Sequence, residues 1–141
     1  MESNRAEYAL WLVRNVADLL AYFWPITLGL LAVLAVGCAQ AAYRRQPIES
    51  ALIWLIPLAT VPLLLILLGT LLERSAEGAG AFHPAVLAVW AVALVNIPVV
   101  GYLAYRARSN LALTTGAALL SLWITAAAWF PAVMSVTGDW L

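Results

Sequence analysis

The sequence predicts an all-α integral membrane protein: four transmembrane helices forming two tandem hairpins, preceded by an N-terminal interfacial amphipathic helix. Three observations predict it. Of 141 residues, 65% are hydrophobic and 10% charged, more apolar surface than a small soluble domain can hide from water. Four stretches without Asp, Glu, Lys or Arg, spanning about 23–43, 51–72, 84–105 and 111–133, each reach the roughly 20 residues that cross the hydrocarbon as a helix. Finally, a pattern recurs: Phe-x-Pro opens a span ("FWP" at 23–25, "FHP" at 82–84) and Ala-Tyr-Arg closes it ("AYRR" at 42–45, "AYRA" at 104–107).

Taken in chain order, residues 5–22 come first. At the helical period Asn4, Glu7, Trp11, Arg14, Asn15 and Asp18 fall on one face, and Ala9, Leu12, Val13, Val16 and Leu20 on the other. This predicts a helix lying in the membrane interface, or docking on a partner subunit, bent into the bilayer near Pro25. "LAVGC" at 34–38 has the look of a cleavage box, but the acids and amphipathic helix ahead of it predict a retained anchor. The second span follows the polar connection "RRQPIES" and carries Trp54; the third begins at Pro84 and the fourth follows "RARSN" and carries Trp123. The whole chain, 1–141, reads as a single membrane domain.

Sidedness follows from arginine in short loops. The first and third connections carry Arg44, Arg45, Arg106 and Arg108 against Glu49, and the other side carries Arg5, Arg14 and Arg74 with the remaining acids. The expectation is both termini outside, in a bacterial inner membrane. Tyrosine at the headgroup level with arginine beyond it is also what any inner boundary selects, so the repeated Ala-Tyr-Arg is compatible with duplication and with independent choice.

Composition excludes some functions. A formal net charge of zero and no lysine leave no electrostatic footprint for nucleic acid. The lone Cys38 has no disulfide partner within the chain. No span carries the ionisable residue that intramembrane catalysis or ion coupling normally requires, so no catalytic residue, no metal site and no cofactor is assigned.

The polar residues in the spans are the remaining candidates. Asn96, two residues before Pro98, is placed to bridge to a neighbouring helix or to the carbonyl the proline frees. Ala117, Ser121, Thr125 and Ala128 form a small-residue stripe on the fourth span, and Ala35, Ala39 and Ala42 another on the first. Asn96, Ser121 and Thr125 are therefore the helix-packing or polar-path candidates. His83, the only histidine, is the one side chain available to a haem or chlorin metal, which would take its second ligand from another chain. Trp24, Trp54, Trp129 and Trp140 are expected in the aromatic belts.

Residues 43–73, "YRRQPIESALIWLIPLATVPLLLILLGTLLE", resemble the transmembrane hairpin of haem-copper oxidase subunit II. The matching positions are Tyr43, Arg44, Arg45, Glu49, Trp54 and Pro57. That family continues into a copper-binding domain whose ligands have no counterparts here, so the resemblance implies a scaffold role beside a respiratory core. The expected function is a non-catalytic structural or accessory subunit of a larger membrane complex, a respiratory or other electron-transfer assembly, with the lipid bilayer and other membrane subunits as partners. The alternatives are a small homo-oligomeric transporter or channel, and a haem- or pigment-binding membrane protein.

Overall fold

The protein is described by a computed structural model covering residues 2–45, 52–78, 82–107 and 110–138. Among these residues lie five helices: α1 (Glu2–Tyr22), α2 (Trp24–Tyr43), α3 (Ile56–Leu71), α4 (Pro84–Arg106) and α5 (Leu111–Thr137). Helices α2, α4 and α5 are long and apolar enough to cross a membrane, which makes the chain an integral membrane protein in contact with lipid.

Helix limits follow local chemistry. Phe23 alone breaks the run from α1 to α2, at φ −95° and ψ 37°, and Pro25 tolerates its place because the first-turn N–H it lacks would have no helical partner anyway. The α3 segment is less regular than a span of 51–72 would be. Its first turn, Ile56–Thr60, is π-wound before the α-helix resumes at Val61–Leu71. Pro62 supplies no N–H and its ring would strike the carbonyl of Leu58, so the turn ahead of it opens. His83 caps α4, its Nδ1 accepting from the Ala85 N–H at 3.3 Å, with Pro84 at the first helical position. Asn110 caps α5 by accepting from the Leu113 N–H at 3.1 Å. Gly138 ends it at φ 74°, where a side chain would be strained. The fourth apolar run thus stays helical past Val133, to Thr137.

Helix α5 is the hub, packing against α1, α2, α3 and α4. Contacts along it fix directions. Trp123, Gly116 and Leu113 meet Thr27, Leu34 and Gly37 in turn, so α2 runs antiparallel to α5. Trp129, Thr125 and Thr114 meet Trp90, Asn96 and Ala107, so α4 does too. Helix α3 runs with α5: Trp54, just ahead of it, packs with Ala117, and Gly69 near its end packs on Ala132. The α4–α5 pair is a packed hairpin, whereas α2 rests chiefly on α5 rather than on its sequence neighbour α3.

Two expectations are corrected, on Trp54 and on the α2 stripe, and the apolar side of α1 gains a partner. The apolar side of α1 is used within the molecule: Leu12 and Val16 are buried against α3 and α5, with Leu19 and Leu20 packed alongside. Trp54 belongs to no belt, being 2% exposed among Val100, Leu103 and Ala117. Ala35, Ala39 and Ala42 face outward, while Gly37 and Ala41 face α5. The reason is steric. A Cβ on Gly37 would collide with the backbone of Leu113, and one on Gly116 would sit 2.7 Å from the Leu34 nitrogen, so these glycines set the closest approach and thereby the face that turns inward.

Candidate functional site

Helices α4 and α5 bring Asn96, Ser121 and Thr125 together. The Asn96 amide nitrogen donates to Thr125 Oγ1 at 2.7 Å and to Ser121 Oγ at 3.2 Å. Ser121 and Thr125 are one turn apart, so one amide reaches both hydroxyls. All three residues are buried, and Asn96 Oδ1 has no hydrogen-bond partner. An unpaired acceptor in so apolar a setting costs on the order of 1–3 kcal/mol. The arrangement is sealed: Ala117 and Ala128 close the same stripe from either end and are also fully buried.

Beside it, between α4 and α5, lies a shallow groove of about 190 Å³ walled by Trp90, Leu94, Ile97, Leu122, Thr125 and Trp129. Pro98 withdraws the helical partner of the Leu94 carbonyl on this wall. Trp90 and Trp129 meet edge to face, with centroids 4.6 Å apart. A larger apolar groove of about 480 Å³ sits at the α1–α2 break, where Leu19, Phe23 and Ile26 face Trp123, Trp129 and Phe130 of α5.

His83 is occupied as a helix cap through Nδ1, which accepts from the Ala85 N–H. Among the described residues no group of three or more His, Cys, Asp or Glu could hold a metal ion. Trp24 is exposed to the surroundings, Cys38 is exposed on α2, and Trp140 lies outside the described residues.

Two further polar clusters were not singled out from the sequence. At one end of the bundle Ser135 Oγ donates to the Gly69 carbonyl at 2.6 Å. Its proton being so committed, the Tyr8 hydroxyl must donate to Ser135 Oγ, 2.8 Å away. Burial is the main cause that holds the Tyr8 phenol above its ordinary value; nearby Glu73 adds to it, and Arg74 opposes it. At the other end Asn110 Nδ2 donates to the Gly37 carbonyl at 3.1 Å, tying α2 to the start of α5. An Asn directly before an apolar run is a cap signal, so Asn110 was findable. Tyr8 and Ser135, 127 residues apart, offered no spacing to read.

The fold and these clusters define a class, the polytopic all-α membrane bundle. Compared with family models, curated protein sequences and solved structures, the chain gives no significant match.

Proposed function

We propose that this protein is a non-catalytic structural or accessory subunit of a larger membrane complex, crossing the bilayer four times with α3 as the second crossing and both termini outside. The observation that carries the reading is the state of α2. It is the least buried of the three long apolar helices, and its outward face presents Ala32, Ala35, Ala39 and Ala42, all exposed, at alternating spacings of three and four residues. Small residues at that spacing admit a second helix to close backbone approach, the usual way helices associate where the hydrophobic effect supplies no drive. The internal polar side chains meanwhile bind helices of this chain to one another, as expected of a rigid scaffold. The likeness of residues 43–73 to the subunit II hairpin supports an electron-transfer assembly as the host.

Extraction in a mild detergent followed by native mass measurement tests the proposal. Other membrane subunits retained with the chain are the expected result, and Ala35→Leu with Ala39→Leu should release them without unfolding the chain. A closed homo-oligomer of this chain alone would replace the reading with the transporter or channel.

A further inference from the structure

We propose that the end of the bundle carrying Tyr43, Arg44, Arg45, Tyr105 and Arg106 is a binding surface for anionic phospholipid headgroups. The recurring Tyr-Arg sequence falls at the C-terminal ends of α2 and α4. Both helices pack on α5 and run antiparallel to it. The α2 end is tied to the α5 N-terminus by the Asn110–Gly37 hydrogen bond, and the α4 end by the bond from Thr114 Oγ1 to the Ala107 carbonyl at 2.7 Å. Leu34 of α2 joins Val100 and Leu103 of α4 in one apolar cluster. The two copies therefore form one surface at one end of the molecule.

Charge complementarity selects the occupant. Arg44, Arg45 and Arg106 are all exposed, and the described residues at this end, in 40–45, 52–57, 100–107 and 110–116, include no Asp or Glu. The opposite end mixes Arg74 with Glu73 and Glu77. Depth selects a lipid over a soluble anion. Tyr43 is 91% and Tyr105 68% exposed at the ends of apolar helices, where tyrosine rings sit at headgroup level. Arginine stems rising past those rings place guanidinium forks against phosphate, which they bind through two parallel N–H donors.

The test reconstitutes the full chain in nanodiscs with equimolar phosphatidylcholine and phosphatidylglycerol, then counts the lipids retained on the protein by native mass spectrometry. Phosphatidylglycerol should be enriched over phosphatidylcholine. Each of Arg44→Gln, Arg45→Gln and Arg106→Gln should lower the enrichment about fivefold, and Arg74→Gln at the opposite end should leave it unchanged. Wild-type protein in about 1 M salt, where charges are screened within about 3 Å, should also lose it, a readout that needs no variant to fold. Equal retention of the two lipids by the wild type would overturn the proposal. So would enrichment that survives all three substitutions, the result expected if the arginines serve an acidic partner subunit instead.

Discussion

At the scale of single residues, Asn96 concentrates the energetics of the α4–α5 contact. Its amide makes two hydrogen bonds and its carbonyl oxygen none, so the net worth of the side chain is the difference between two gains and one desolvation cost. A double-mutant cycle between Asn96→Ala and Thr125→Ala should give a coupling of about 0.6 kcal/mol, below the roughly 1.7 kcal/mol seen at most for such pairs in membranes, read from unfolding in bicelles. A coupling near zero would show the amide to be bonded elsewhere. Asn96 was legible in the sequence because one amide in the middle of an apolar run has few ways to be satisfied, and Ser121 and Thr125 because they repeat at helical spacing. That the three meet was not legible, since it depends on the register of α4 against α5. That register is set by bulk contacts such as Val89 and Ala128, which any apolar residues could make in several registers.

At the scale of elements, two glycines decide how α2 sits. Gly37→Ala and Gly116→Ala place a methyl into the facing backbone, where no side-chain rotation relieves it. Each should cost about 1–3 kcal/mol by overpacking, while Gly29→Ala and Gly101→Ala, with nothing within 4 Å of the added carbon, should be neutral or slightly stabilising in the same thermal unfolding assay. Helix α1 is held differently, by Leu12 and Val16 and by the hydrogen bond from Tyr8 to Ser135. The phenol is held above its ordinary value of 10.0 in the docked state. The docked form therefore keeps its proton where the released form loses it, and docking is at full strength below pH about 10 and weakens as pH rises from there through the raised value. A spin label at Val13→Cys, in a Cys38→Ala background, should report an immobile α1 through neutral pH and a mobile one beyond that window. Tyr8→Phe should remove the alkaline step. Amphipathic patterning disclosed α1 itself, because polar and apolar residues segregate on its two sides. The identity of the surface that covers its apolar side was not readable, because an amphipathic face satisfies a bilayer interface and a protein groove equally well. The proline-opened start of α3 was likewise hidden inside an uninterrupted apolar run, where composition measures length but not winding.

At the scale of the whole molecule, direction along α5 assigns every described segment to one of two ends. Helix α2 descends α5, α3 climbs with it and α4 descends again, so the turns after Arg45 and after Arg106 share an end, while residues 72–78 lie at the other beside the C-terminal turn of α5. There the Arg74 N–H donates to the Ser135 carbonyl at 2.9 Å and the Ala76 N–H to the Val136 carbonyl at 3.1 Å. Helix α5 alone is about 40 Å long at 1.5 Å per residue, enough to exceed a hydrocarbon core of about 30 Å. The two ends therefore face opposite aqueous phases if α5 crosses. Which phase each meets is a matter of arginine retention: Arg44, Arg45 and Arg106 are on one end without described acids, whereas Arg74 on the other is accompanied by Glu73 and Glu77. Reporters of cytoplasmic location fused after Arg45 and after Ala107 should both be active, and one fused after Gly78 should be active only for export. Opposite locations for the first two fusions would mean that α3 turns back without crossing, and a cytoplasmic Gly78 with both others exported would invert the molecule. Reversal of the whole pattern on moving arginines from residues 44, 45 and 106 to the 73–77 segment would show that charge placement, rather than the amphipathic α1, orients the chain in the membrane.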